Sequence, residues 1–234
     1  MPVIKYDASG LLARVSNVLS QRNCQAYVVG GLVRDWLLSR DTADIDIAVN
    51  ADAPGVAREI ANVIGGKYVL LDEANGVARV VATEDERVLY LDFSSFSGNI
   101  GNDLGRRDFT IDAMAVELAR LVSGQTEVID PFHGQVDLKS KLIRAVNERV
   151  FAEDAVRLLR AVRLAAELGF AIESNTEKLI KGCAQLVNHV PGEKVREELL
   201  RLFALPGAAV MVRYMDELGL LTGVMPEMDG MKGV

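Results

Sequence analysis

Residues 28–49 read VVGGLVRDWLLSRDTADIDIAV, and the last seven of them decide the fold. ADIDIAV alternates as a strand does, so Ile45, Ile47 and Val49 share one face while Asp44 and Asp46 share the other. Two carboxylates about 7 Å apart on one side of a strand repel each other and resist burial. A hard divalent cation resolves that repulsion, because Mg²⁺ prefers carboxylate oxygens completed by substrate phosphates. A pair on a stiff strand can hold two such ions, which activate an attacking hydroxyl and stabilise a leaving oxygen. The chemistry this suggests is phosphoryl or nucleotidyl transfer. The plain alternative is an edge strand whose solvent face is acidic.

The residues just upstream bear on that choice. AYVVGG reads as a short buried strand entering a two-glycine turn, with LVRDWLLSR as a helix directly after it. Backbone at Gly30 and Gly31 can approach a ligand closely and offer N–H groups to a triphosphate, and Arg34 adds positive charge one turn later. The bland reading is a strand-turn-helix corner. G-x-G-x-x-G and G-x-x-x-x-G-K-[ST] are absent, which disfavours dinucleotide and P-loop sites.

Further candidates follow along the chain. Asp92 interrupts the apolar run RVLYLDFSSF as Asp44 and Asp46 interrupt theirs. If its strand pairs beside ADIDIAV, three acids converge, and Asp92 either ligates the metal or accepts the proton of an incoming 3′-hydroxyl. In GRRDFTIDAMA, Arg106 and Arg107 can hold phosphates and Asp108 can orient them. DPFHGQVDLKSKLIR reads as a turn and short helix containing Asp130 and Asp137, with His133 in a loop role. In EDAVRLLRAVRLAAELGF, a helical wheel gathers Leu158, Ala161, Val162 and Ala165 into the apolar arc, with Asp154 inside it and Arg157 at its edge. As a buried ion pair these two would add little net stability. As a recognition pair they would present donors and an acceptor to a base edge, selecting a nucleotide without a template.

The composition bounds these readings. The chain has 234 residues, half of them hydrophobic and a quarter charged, which suits a folded chain of one large or two modest domains. The net charge of −7 disfavours bulk attraction to polyanions. Locally the balance reverses: residues 141–163 hold six basic and three acidic side chains, Arg160 and Arg163 among the basic ones. Cys24 and Cys183 lack metal-ligand spacing and read as reduced thiols. No signal peptide or membrane span is readable, so a cytoplasmic protein is expected. Helix 10–22, helix 54–66 opened by Pro54, and strands KYVLL, GVARVVA and RVLYLDFSSF predict an α+β fold with a mixed sheet. From Glu148 onward only helical periodicity is visible.

In this order and spacing, GG-x-x-RD, DID, RRDFTIDAMA, DPFHGQVDL and EDAVRLLRAVR resemble the class II tRNA nucleotidyltransferase and bacterial poly(A) polymerase family. This is the CCA-adding group of the DNA polymerase beta-like superfamily, and the match runs from about Val28 to Leu205. The resemblance implies a nucleotidyltransferase head over residues 1–147, a helical neck over 148–206 and the start of a helical body over 207–234. It also implies a longer protein whose later domains hold tRNA. Asp44 and Asp46 would bind the catalytic Mg²⁺ ions, with Asp92 as the third carboxylate. Gly30, Gly31 and Arg34 would face the triphosphate, while Arg106, Arg107 and Asp108 would recognise sugar and phosphate. Asp154 and Arg157 would hydrogen-bond the base of CTP or ATP, with Arg160 and Arg163 as further nucleotide-binding residues of the same helix. GEKVREELL, with Lys194 and Arg196, resembles the helix that stabilises the neck. The implied reaction adds CMP, AMP or both to the tRNA 3′ end. Poly(A) addition is the nearest alternative, and a catalytically silent nucleotide- or RNA-binding module the remaining one. Three positions depart from the family pattern: Asp112 stands for Asn, Ser97 for Arg and Ala155 for Pro.

Overall fold

The computed structural model describes residues 9–231, which divide into two compact units. Residues 9–105 with Ile111–Gly134 form the first, and Arg106–Thr110 with the residues from Gln135 onward form the second.

The first unit begins with helix α1 (Ser9–Gln21), strand β1 (Ala26–Val29), helix α2 (Gly31–Leu37), strand β2 (Asp44–Val49) and helix α3 (Ala53–Ile64). Strands β3 (Lys67–Asp72), β4 (Val77–Glu84) and β5 (Arg87–Ser95) follow. Helix α4 (Ile100–Leu104), a 3₁₀ turn (Thr110–Asp112), strand β6 (Ala115–Glu117) and helix α5 (Leu118–Val122) complete the run. The six strands make one mixed sheet in the order β3-β4-β5-β2-β1-β6. Only β2 and β5 pair in parallel; the other neighbours are antiparallel. That parallel pair requires a long crossover, which α3, β3 and β4 supply.

Helix α3 shows why the local sequence dictates its element. Asp52 caps it by accepting from the Gly55 N–H at 3.1 Å, Pro54 occupies the first turn, and Gly65 ends it at φ 73°. Its buried residues Val56, Ala57, Ile60 and Ala61 lie one turn apart and pack on β4 and β5. Ile45, Ile47 and Val49 are fully buried, as the alternation predicts. β6 was not legible, since three residues show no period. The β4–β5 hairpin turns through Asp85 and Glu86 at φ 48° and 65°, left-handed positions usually given to Asn or Gly.

The second unit contains α6 (Gly134–Ser140), β7 (Leu142–Ile143), α7 (Val150–Glu153), α8 (Val156–Leu168), β8 (Ala171–Ile172) and α9 (Ser174–Cys183). A 3₁₀ segment (Ala184–His189), α10 (Gly192–Phe203), α11 (Ala208–Glu217), α12 (Leu221–Val224) and a last 3₁₀ turn (Pro226–Met231) follow. Helix α8 is the axis: its apolar face, including Leu158, Ala161, Val162 and Ala165, is buried, and α10 and α11 pack on it. Residues 106–110 belong here because Thr110 N–H donates to Arg144 O at 2.9 Å and Val146 N–H to Asp108 O at 3.0 Å. The Phe109 and Phe151 rings also meet at 6.5 Å between centroids. Cys24 and Cys183 are both free and half-buried.

One helix start in this unit is a pH-dependent joint. Glu173 caps α9 by accepting from the Thr176 N–H at 2.9 Å and from its hydroxyl at 3.1 Å, and Arg144 lies 3.4 Å away. Burial pushes the Glu173 carboxyl up, but the Asn175 and Thr176 N–H groups, the Thr176 hydroxyl and the Arg144 charge together hold it below its usual value. A depressed pKa stabilises the fold above the unfolded value near pH 4.3, and that contribution is lost as pH falls through the folded value. Glu173→Gln is therefore expected to cost about 1 kcal/mol at neutral pH. The difference from wild type should shrink as pH falls below the unfolded value and through the lower folded one in urea unfolding. A gap that stays constant with pH would refute this account.

Candidate active site

Strand register assembles the first cluster. Arg79 on β4 pairs with Asp92 on β5, which pairs with Asp46 on β2. In the adjacent row Val81 pairs with Tyr90 and Tyr90 with Asp44. Directly paired residues project to the same side, so Arg79, Tyr90, Asp92, Asp44 and Asp46 share one face of the sheet. Asp44 is exposed, and Asp46 and Asp92 are half-buried. Arg79 was not singled out from the sequence, yet it donates from Nε and Nη2 to the two oxygens of Asp92, both at 2.7 Å. Its guanidinium lies 5.0 Å from the centre of the Tyr90 ring. The hydrogen bonds to Asp92 outweigh burial and, with the charges of Asp92 and Asp44, raise the Arg79 pKa above the ordinary arginine value. The available cue was a single cation inside the apolar run GVARVVA.

The donor chemistry fits a hard divalent cation. Asp44 and Asp46 supply carboxylate oxygens on a stiff strand, and an ion such as Mg²⁺ takes only one or two carboxylates, completing its shell with water and phosphate. Among the described residues no group of three or more His, Cys, Asp or Glu side chains is arranged to hold a metal. Asp92 is thus placed beside the pair by register while its carboxylate is engaged by Arg79.

The glycine turn lies at the end of β1. Gly30 has φ 71° and ψ −136°, a conformation open to glycine alone, and its N–H donates to Met114 O at 3.2 Å. Val33 and Arg34 N–H groups both return to Gly30 O and start α2. The Arg34 side chain folds back under the turn, so that a Cβ at Gly31 would stand 3.4 Å from its Nη2. Its guanidinium donates to Asp35 from Nε and Nη2, each at 3.0 Å, and to Asp112 from Nη1 at 2.7 Å. All three residues are buried, Arg34 at 6 %, Asp35 at 9 % and Asp112 at 2 % exposure. Asp112 thereby holds the arginine charge inside the fold.

The second unit gathers its own set. Asp108 is buried, accepts from the Phe109 N–H at 2.9 Å and pairs with Arg160 Nε at 2.9 Å. Arg157 donates from Nη1 to Val150 O at 3.2 Å and from Nη2 to Arg106 O at 2.8 Å, so it links α7, α8 and the 106–110 segment. Asp154 departs from the continuous helix expected over 153–170. It is extended at φ −150°, between α7 and α8, and its Oδ1 accepts from the Val156 N–H at 3.2 Å. A short acceptor beside the backbone competes with helical bonding, which breaks the run there. Ala155 has φ −68°, the value a proline ring fixes, so its backbone conformation would accept a proline as readily as the alanine present. Arg106 is exposed and Arg107 half-buried. Arg163 stands apart from this group: it is buried and paired at 2.6 Å with both Glu198 of α10 and Glu167. Among the described residues no helix is long and apolar enough to cross a membrane.

With this geometry in hand, comparison with known proteins becomes specific. Residues 26–144 match the family model of the poly A polymerase head domain, and residues 169–231 that of a probable RNA- and SrmB-binding site of polymerase A. The CC-adding tRNA nucleotidyltransferase of Geobacter sulfurreducens is 37% identical over 93% of this chain and 49% of its own length. The A-adding tRNA nucleotidyltransferase of Deinococcus radiodurans is 38% identical over 87% of this chain and 45% of its own. The chain thus spans about half the length of the curated relatives it matches. The solved Thermotoga maritima CCA-adding enzyme complexed with tRNA superposes with a TM-score of 0.82 at 31% identity, over 95% of this chain and 56% of that one. A tRNA nucleotidyltransferase complexed with a primer tRNA and an incoming ATP analogue gives 0.78 at 30% identity, over 90% and 62%. The head match, the α+β sheet that carries Asp44 and Asp46, and these relatives agree: the chain belongs to the poly A polymerase head-domain family of tRNA nucleotidyltransferases and bacterial poly(A) polymerases.

Proposed function

We propose that this chain carries the catalytic and nucleotide-selecting part of a template-independent nucleotidyltransferase. It adds CMP, AMP or both to the 3′ end of tRNA and releases pyrophosphate. The observation that carries the reading is the Asp44–Asp46 pair, kept on one face of a strand inside the sheet despite its self-repulsion. The activities of the relatives, CC-adding, A-adding and CCA-adding, suggest the substrate class. Asp44 and Asp46 hold divalent cations, here Mg²⁺, which supply activation of the 3′-hydroxyl and charge neutralisation of the triphosphate. Gly31 offers backbone to the triphosphate, Gly30 shapes the turn that presents it with its own N–H bonded to Met114 O, and Arg34 serves by supporting that turn. Arg106, Arg107 and Asp108, with Arg160, act on sugar and phosphate. Asp154 and Arg157 select the base of CTP or ATP, and Arg163 holds α8 against α10. On this reading the first compact unit is the head and the second the helical neck, with residues 106–110 and 135–147 going with the second unit instead of with a head over 1–147. The tRNA substrate sets the cytoplasm as the place of action.

Incubation with tRNA transcripts ending before, within and after CC, with labelled CTP or ATP and Mg²⁺, tests the proposal. Incorporation confined to one or more of these ends is expected. Long adenylate tails on any RNA would favour poly(A) addition, the activity of the poly A polymerases that share this head domain. Label entering no transcript would leave a nucleotide- or RNA-binding module.

A further inference from the structure

We propose that Arg79 is a positioning residue that holds Asp92 away from the metal-binding pair and sets how tightly Asp44 and Asp46 take a divalent cation. The inference rests on the reading of Asp44 and Asp46 as cation ligands and deepens it. Sheet order gives the direction. In β4-β5-β2, Arg79 and Asp46 flank Asp92 from opposite sides in one register row. Both oxygens of the Asp92 carboxylate are taken up by the Arg79 fork, which leaves them engaged with β4's guanidinium rather than with an ion at Asp44 and Asp46. This agrees with the absence of any three-acid metal group among the described residues. Paired forks of this kind are short, directional and about twice as strong as neutral hydrogen bonds.

Charge completes the argument. Arg79 offsets one of the three carboxylate charges on this face of the sheet, and its replacement by a neutral side chain makes the cluster one unit more negative and releases both oxygens of Asp92. Arg79 thus acts as an internal cation in the place of a third ligand, and it keeps the pair from holding a metal so tightly that substrate phosphates cannot share it. The stacked Tyr90 ring limits the alternative positions of the guanidinium.

Binding of Mn²⁺ alone, followed by electron paramagnetic resonance of the free ion without nucleotide, provides the test. Arg79→Gln is expected to bind Mn²⁺ roughly tenfold more tightly than wild type, from the loss of a unit charge within several Å of a doubly charged ion. Asp92→Asn, which leaves Arg79 uncompensated, should bind more weakly than wild type. The double variant removes a neutral pair and should return to within about threefold of wild type. Arg79→Lys keeps the charge but gives up the fork and should fall between wild type and Arg79→Gln; if Arg79→Gln does not fold, this variant carries the test. Mn²⁺ binding that is present and lost in Asp44→Asn, but equal or weaker when Arg79 is replaced, would overturn the inference and leave the metal reading intact. Wild-type binding insensitive to Asp44→Asn would overturn the metal reading and this inference with it.

Discussion

Asp44→Asn is expected to lower nucleotide incorporation by at least about 10³-fold while leaving the melting temperature unchanged or slightly raised. The two halves of that expectation have separate causes. Losing a metal-ligating carboxylate removes several kcal/mol of charge stabilisation from the transition state, and each 1.36 kcal/mol is worth about tenfold in rate. Stability responds differently because Asp44 is exposed at the start of β2 and shares its face with Asp46. Neutralising one of two like charges on that face removes repulsion, worth up to about 1 kcal/mol between neighbouring surface charges. The check pairs incorporation of labelled CTP or ATP into tRNA with thermal unfolding of the same preparation. Retained activity would sink the catalytic reading, and a large loss of stability would make the carboxylate structural.

Legibility along the chain follows the range of the interaction. ADIDIAV revealed its strand and its two faces because alternation is local and one face is wholly buried. Helix α3 was readable from its own ends, where Asp52, Pro54 and Gly65 each do what their chemistry allows. The β4–β5 hairpin could be placed between two apolar runs, but not its turn, because Asp85 and Glu86 take left-handed conformations without a glycine to signal them. Asp154 looked helical by period and is extended, since the period counts side chains and ignores a carboxylate that accepts from the backbone N–H two residues on.

What stayed hidden depends on partners distant in sequence. The pairing of Asp92 with Arg79 needs the register of β4 on β5. The membership of residues 106–110 in the second unit needs the bonds from Thr110 to Arg144 and from Val146 to Asp108. The setting of Arg163 needs Glu198, a helix and a half further on. Asp92 and the 106–110 segment were noticed without their partners, and Arg163, expected to bind nucleotide, is instead buried between Glu198 and Glu167.

Arg34 is the sharpest instance, and its replacement should have the largest effect on stability. Arg34→Met is expected to cost about 3–5 kcal/mol, the usual penalty for removing one partner from a buried ionic group. The cost arises from what remains. Asp35 and Asp112, almost inaccessible to water, would lose the guanidinium that donates three hydrogen bonds to them. The turn at Gly30 and Gly31 would also lose the group packed beneath it. Asp112→Asn gives the contrast. An Asn Oδ1 can still accept from Arg34 Nη1, and Asp35 keeps both of its bonds, so this change should cost under about 1 kcal/mol. In the double variant one fewer charge is stranded, and a good part of the Arg34→Met loss should be recovered. Urea unfolding of the three variants measures all of these terms. If Arg34→Met unfolds within about 1 kcal/mol of wild type, water reaches the triad and its charges are solvated. Arg34 would then be free to act on the triphosphate directly, and support of the glycine turn would cease to be its role.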